Sequence, residues 1–232
     1  MTFASVPNSL ALIPDGNRRW ARQHKFSMLD GYNIGVKKFI DFSEWCKDYG
    51  VKNLTVWALS AENLKRSSVE LNALFNIYRR VSKDKSLMDR LDANKVRVNV
   101  VGNLDVLPKD LYRSLKSVEE RTEGNRGVVI NMLLGYGGRD DMVFAAKRLA
   151  GMSSRGYTIN EDTFTQALQS SQVPNIDFII RTSGEQRLSG FMPWQTGYSE
   201  LYFSKKLWPD FSKRDLYTAL ADYNKRERRF GR

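Results

Sequence analysis

The sequence predicts a single α/β domain built on a twisted, mostly parallel central sheet of about six strands flanked by helices. Three observations carry that prediction. Short runs rich in Val, Ile and Leu alternate with longer amphipathic segments along all 232 residues, an order that joins parallel strands through right-handed helical crossovers. Unusual polar stretches follow those runs. No repeat, low-complexity tract or change of character divides the chain, and its length suits one sizeable core.

The strands are expected at Ser9–Ile13, Leu54–Leu59, Val96–Val101, Val128–Leu134, Asp177–Arg181 and Glu200–Phe203, each only a few residues long. After the first, Val36, Phe39, Phe42, Cys46 and Tyr49 recur at spacings of three and four, which puts them on one helical face. Cys46 is therefore read as a small core residue. After the second, a helix carries Leu71, Leu74, Phe75 and Tyr78 on one face, either as core or as the wall of an apolar channel. The stretch "GMSSRG", residues 151–156, is the most flexible connection expected.

Composition narrows the chemistry. The single cysteine, Cys46, and single histidine, His24, exclude intramolecular disulfides and Cys/His zinc sites, and confine any histidine-based triad to the surroundings of His24. With 37 Lys+Arg against 26 Asp+Glu, the net charge of +11 favours an anionic partner: nucleic acid, a membrane surface or phosphorylated small molecules. The start "MTFASVPNSL" lacks the pattern of a signal peptide, and no apolar run approaches the roughly 18 residues of a spanning helix. The expectation is a cytoplasmic protein, at most peripheral at a membrane.

The polar stretches point to one edge of the sheet. "PDGNRRW" follows the first strand, "SAENLKR" the second, "GNLD" the third, "GYGGRDD" the fourth and "RTSGEQRLS" the fifth. Open α/β sheets bind ligands at the carboxyl ends of their strands, so five separate motifs become one candidate cleft.

Within it, "DGNRR" at a helix start offers free N–H groups from Gly16 and Asn17 beside Arg18 and Arg19, which suits a phosphate. Asp15 has two readings: a helix cap, or a ligand for Mg²⁺ lying between the carboxylate and that phosphate. Arg181, Arg187 and Ser189 form a second cationic group beside Gly184, and Glu200 follows in "GYSELYF". Two cationic pockets and two separated carboxylates suggest two phosphorylated substrates with one metal. These arginines lie in separate motifs beside acids, unlike the continuous basic stripe of a nucleic-acid face, so no nucleic acid is expected.

The same motifs, with "IIRTSGEQRLSGFMPWQTGYSELYF", "LWPDF" and the terminal "RERRFG", resemble in order and spacing those of the cis-prenyltransferases, the undecaprenyl diphosphate synthase family, over nearly the whole chain. The resemblance implies a homodimer whose subunits each hold a growing polyprenyl tail in an apolar tunnel. It implies Mg²⁺-dependent condensation of isopentenyl diphosphate with an allylic prenyl diphosphate, forming Z double bonds. By position, Asp15 matches the aspartate that engages Mg²⁺ and the donor diphosphate. Gly16, Asn17, Arg18 and Arg19 match the loop around it, and Trp20 the tryptophan beside it.

Asn63 matches the asparagine assigned to proton removal, with Ser60, Ala61, Glu62, Leu64 and Arg66 in its motif. Arg181, Arg187, Leu188 and Ser189 match the isopentenyl diphosphate pocket, and Glu200 the second metal carboxylate. Arg229 and Gly231 belong to the R-x-G ending, so the segment 224–232 is expected to reach the partner subunit.

Four positions depart from the family pattern. Met28 and Tyr32 stand where an arginine and a histidine commonly help to hold the donor diphosphate, Leu64 replaces a tryptophan, and Gln186 a histidine. An active enzyme with an altered donor site or acceptor preference follows, with alcohol O-prenylation or irregular coupling of allylic diphosphates as the alternative. A catalytically silent subunit is the non-enzyme alternative; such partners are expected to lack the aspartate and phosphate-loop residues kept here. Leu133 and Leu134, at the end of the fourth strand, either face the tunnel and shorten the product or pack between sheet and helix.

Overall fold

The computed structural model describes residues 3–153, 156 and 158–226. Its strands are β1 (Ser9–Ile13), β2 (Asn53–Ser60), β3 (Arg97–Val101), β4 (Val129–Tyr136), β5 (Phe178–Arg181) and β6 (Glu200–Phe203). They form one sheet in the order β3-β4-β2-β1-β5-β6, and every neighbouring pair is parallel. The expected strands are therefore all present. β2 and β4 run beyond their apolar cores to Ser60 and Tyr136, because register shifts after Trp57 keep the two paired past the regular ladder.

Helices α1 (Asn17–Gln23) and α2 (Met28–Asp48) join β1 to β2, and α3 (Ser68–Ser82) with α4 (Lys85–Ala93) joins β2 to β3. α5 (Lys109–Thr122) joins β3 to β4, α6 (Gly138–Ser153) and α7 (Glu161–Ala167) lie between β4 and β5, and α8 (Lys213–Asn224) follows β6. β1, buried along its whole length, lies between β2 and β5. Connections leave β1 toward β2 and leave β5 toward β6, in opposite directions. The crevice between the carboxyl ends of β1 and β5 is thus the switch point at which such sheets take ligands.

α2 starts at a reciprocal cap: the Ser27 hydroxyl accepts from Asp30 N at 3.1 Å while the Asp30 carboxylate accepts from Ser27 N at 3.2 Å. Its apolar residues divide between two neighbouring faces rather than sharing the one expected. Phe42 and Cys46, both fully buried, pack with Trp208 and Phe211 in the core, whereas Val36 and Phe39 line a cavity. On the opposite face of the sheet a buried ladder fixes register across three strands. Asn99 donates to Asn131 at 2.9 Å, and Asn131 to Thr55 at 3.3 Å.

Candidate active site

A cavity of about 920 Å³ opens beside Asp15 and runs beneath α2 and α3, over β2, β3 and β4. That volume lies near the top of the roughly 300–1,000 Å³ usual for small-molecule sites. Its mouth is charged: Asp15, Gly16, Asn17, Arg18, Arg19, Asn63, Arg66, Glu185 and Arg187 line it. Farther in, Val56 and Ala58 of β2, Ile130 and Met132 of β4, and Leu74 and Tyr78 of α3 make it apolar. The α3 face is therefore both channel wall and core, since Leu74 and Tyr78 also pack against Leu59 and Leu107.

Asp15 is held by its backbone. Its carbonyl accepts from Thr182 Oγ1 at 2.7 Å and from Trp208 N at 3.0 Å. The next residue, Gly16, has φ +107°, and a Cβ there would lie 2.9 Å from Leu207, so the turn into α1 admits only glycine. No side chain caps α1, which leaves its first N–H groups directed at the mouth. Asn17 is locked from the other side. It donates to Pro14 O at 3.1 Å, and a Cβ on Gly35 of α2 would press on its amide oxygen at 2.2 Å.

The Asp15 side chain pairs with Arg181 Nη2 at 2.9 Å and more loosely with Arg19 at 4.0 Å. Arg181, 5% exposed, also donates to the Arg187 carbonyl and, at 3.0 Å, to Ser189 Oγ. The remaining arginines are looser. Arg18 is 3.6 Å from Glu70 and Arg19 is 3.5 Å from Glu185, which also holds Arg187 at 2.5 Å.

At two of the positions that depart from the expected pattern, the wall is Met28 and Tyr32. The Tyr32 hydroxyl donates to Glu70 at 2.6 Å, and Arg66 donates to both, at 2.8 and 2.9 Å. Burial first, and then the bond to Glu70, push the Tyr32 phenol above its ordinary value, so it stays a neutral donor. Glu70 was not among the expected site residues. It follows the Ser67 cap at the spacing of a capping box, but its carboxylate turns inward to Tyr32 and Arg66 instead of back to the cap.

Several expectations are corrected. Trp20 does not line the cavity; its indole donates to Asp210 at 2.6 Å and stacks on His24 and Phe26. Glu200 does not join Asp15 at the metal edge. It opens β6, paired in register with Phe178, and so lies at the amino end of the sheet, where Arg226 holds it at 2.6 Å. Its offset from Asp15 along the strands is roughly 15 Å at about 3.3 Å per residue. Among the described residues no group of three His, Cys, Asp or Glu could enclose a metal.

Leu133 and Leu134 are fully buried away from the cavity, against Tyr136 on one face and Leu59 and Leu107 on the other. "GYGGRDD" is structural too: Asp141 accepts from Gln169 N at 2.7 Å and from the Ser170 hydroxyl.

In the "SAENLKR" turn, Asn63 and Arg66 reach the mouth. Ser60 instead accepts from Asn63 N at 3.1 Å, Ala61 N bonds Tyr136 O at 2.9 Å, Glu62 is exposed, and Leu64 packs beside Tyr32 and Leu74. Leu188 packs with Ile13 and Phe191. Arg229 and Gly231 lie outside the described residues.

The profile of a prenyltransferase family described as undecaprenyl diphosphate synthase matches residues 13–231. The chain belongs to that family. An isoprenyl transferase of Thermus thermophilus is 42% identical, over 98% of this chain and 89% of the relative. The tritrans,polycis-undecaprenyl-diphosphate synthase (geranylgeranyl-diphosphate specific) of Methanopyrus kandleri is 41% identical, over 98% and 85%. The crystal structure of lavandulyl diphosphate synthase from Lavandula x intermedia, in complex with dimethylallyl diphosphate, superposes with a TM-score of 0.93 at 34% identity, covering 98% of this chain and 99% of that one. This chain is thus a prenyltransferase on an all-parallel sheet, and the cleft at the end of β1 is its candidate active site.

Proposed function

We propose that this prenyltransferase condenses isopentenyl diphosphate onto an allylic prenyl diphosphate, with Mg²⁺, to make a Z-polyprenyl diphosphate. The observation that carries the reading is the junction at Asp15. A carboxylate, uncapped helix N–H groups and a ring of arginines stand at the mouth of a long apolar cavity, as a substrate with a diphosphate head and a hydrocarbon tail requires.

The donor diphosphate sits against the N–H groups of α1, within reach of Arg18 and Arg19, and its tail enters beneath α2 past Met28 and Tyr32. Arg181 fixes Asp15 and the loop through Ser189, while Arg187, beside Leu188, takes the isopentenyl diphosphate. Asp15 is one hard, partly exposed oxygen ligand with a second oxygen only loosely held. That suits an ion taking one or two protein carboxylates, diphosphate oxygens and waters rather than a protein cage. Mg²⁺ on Asp15 supplies neutralisation of the leaving diphosphate.

The C1–O bond of the donor breaks and the diphosphate leaves with the electron pair, stabilised by the arginines and N–H groups aimed at that charge. The isopentenyl alkene attacks C1, forming the C–C bond. A proton then leaves C2 toward the side on which Asn63 is held by Ser60, with the released diphosphate as the available base. Arg66, through Tyr32 and Glu70, braces the wall opposite.

The proposed protein is a homodimer in the cytoplasm, in peripheral contact with membrane, and its 224–232 segment carries Arg229 and Gly231 to the partner. The exposed run Met142, Val143 and Phe144 on α6 supports a partner surface, and no helix among the described residues is long and apolar enough to cross a membrane. The deciding assay gives the protein Mg²⁺, labelled isopentenyl diphosphate and a panel of allylic donors, with Asp15→Ala as control and products identified by mass. Isopentenyl-extended products from the unaltered protein alone are expected. Products only with alcohol acceptors, or only from paired allylic donors, would replace this reading.

A further inference from the structure

The cavity extends well beyond its charged mouth. On α2 it is lined from Met28 through Tyr32, Val36 and Ile40 to Glu44 and Lys47, one stripe that follows the helix almost end to end. At 1.5 Å per residue that stripe is about 28 Å long. The first end lies at the Asp15 mouth. The other reaches the carboxyl end of α2, where Arg90 and Asn94 of the α4 region complete the lining.

The side chains at that far end are not an apolar wall. Glu44 and Arg90 are 41% and 47% exposed and pair at 2.5 Å, and Lys47 donates to Asn94 Oδ1 at 2.6 Å. These side chains line the cavity and also meet solvent, so only they separate that end of it from the surface. Just inside them the walls are hydrocarbon again, with Leu87, Met88 and Leu91 of α4 facing Ile40. An exposed ion pair contributes little to stability and is screened by salt, and the Lys47–Asn94 hydrogen bond is exposed as well, so both contacts open at small cost.

We propose that the Glu44–Arg90 pair, with Lys47–Asn94 beside it, is a latch on an outlet between α2 and α4, through which the growing tail leaves once it fills the cavity. Product length is then set by the latch rather than by a closed floor. This rests on the chain-elongation reading above, and it assigns residues that neither the strand-end motifs nor the diphosphate mouth contain. Polar closure has a physical use: an apolar plug would compete for the tail continuously, whereas a charged latch excludes it until the hydrocarbon inside has no other space.

Two measurements test it. In the first, product lengths are compared for the unaltered protein, the opened variant Glu44→Ala, and the blocked variants Ser43→Phe and Lys47→Trp. Lys47 is exposed, so its variant keeps the proposal testable if Ser43→Phe does not fold. The length distribution should shift upward by one or more isoprene units in Glu44→Ala and downward in the blocked variants. Unchanged distributions in folded, elongating variants would overturn the outlet.

The second measurement needs no turnover. Long-chain prenyl diphosphates ending in benzophenone are bound with Mg²⁺, irradiated, and the adducts mapped. Adducts on the peptides holding residues 43–47 and 90–94 support the outlet; adducts confined to α3 or the Asp15 mouth exclude it. If the protein elongates nothing yet labels at the outlet, the elongation reading fails and the passage stands.

Discussion

The arginines around Asp15 are held in two different ways. Arg181, almost wholly buried, has its guanidinium committed to the Asp15 carboxylate, the Arg187 carbonyl and the Ser189 hydroxyl. Arg18, Arg19 and Arg187 are exposed by 57%, 40% and 61% of their side chains, and each leans on a carboxylate that a diphosphate could displace. The first is scaffold for the Asp15 carboxylate; the others are free to exchange partners. A buried charge is affordable only when paired and hydrogen-bonded, whereas exposed pairs are worth about 0–1 kcal/mol and exchange readily.

The sharpest way to test that contrast is to remove what the pinned group holds. Asp15→Asn keeps the shape and a hydrogen bond to Arg181 but loses the charge. Turnover should fall by a factor on the order of 10²–10³, the scale for losing one preorganised electrostatic contact, with a smaller loss of melting temperature than removal of Arg181 causes, because the buried guanidinium keeps a hydrogen bond but loses its counter-charge. A variant that turns over within tenfold of the original removes Asp15 from the chemistry.

Arg181→Met should be the variant that loses both stability and activity. It strips charged hydrogen bonds from Asp15 and Ser189, at about 1.5–3 kcal/mol for such bonds, and lets the 187–189 loop relax. Urea denaturation alongside kinetics reads both effects. Unchanged stability would show Arg181 to be as exchangeable as its exposed neighbours.

The exposed side of the comparison is probed by Arg187→Ala. Among the described residues its side chain pairs with the half-buried Glu185, so stability should hold while KM for isopentenyl diphosphate rises roughly tenfold, about 1.4 kcal/mol of binding. A fall in kcat at constant KM would instead place Arg187 in the transition state.

The same contrast explains what the sequence could and could not convey. Strand positions were legible because each is a short apolar run whose carboxyl end carries a polar motif; Ser9–Ile13 and Glu200–Phe203 coincide with β1 and β6. Asp15, Asn17, Arg19, Asn63 and Arg187 converge at the mouth as their strand ends imply. Glu200 misled because a residue at the start of a strand was read with those at strand ends, and only the Phe178–Glu200 register separates them. Of the two readings open for Leu133 and Leu134, packing between sheet and helix is the one that holds; adjacent strand residues point to opposite faces, so the two could not both face one tunnel. Glu70 was invisible because its spacing from Ser67 imitates a cap, while its partners Tyr32 and Arg66 come from other elements.

The smallest predicted effect lies at Tyr32, which belongs to neither arginine group but braces the wall between them. Its phenol is raised in the folded state, chiefly by burial. Below its unfolded value near 10 both states are protonated and its contribution to stability is complete. As pH climbs above 10 the unfolded chain releases the proton first, and stability falls until the folded phenol ionises as well. Tyr78 and Tyr136 are raised by burial too, so the protein as a whole should weaken in alkali. Tyr202 is raised in the same way, and Tyr32→Phe removes one of these contributions. It should cost about 1 kcal/mol at pH 8, through the lost bond to Glu70, yet lose stability less steeply than the original between pH 10 and 11. Urea midpoints at pH 8, 10 and 11 read both numbers. Parallel slopes for the two proteins would mean that Tyr32 ionises as freely as a surface tyrosine, and that the Glu70–Arg66 wall is solvated rather than sealed.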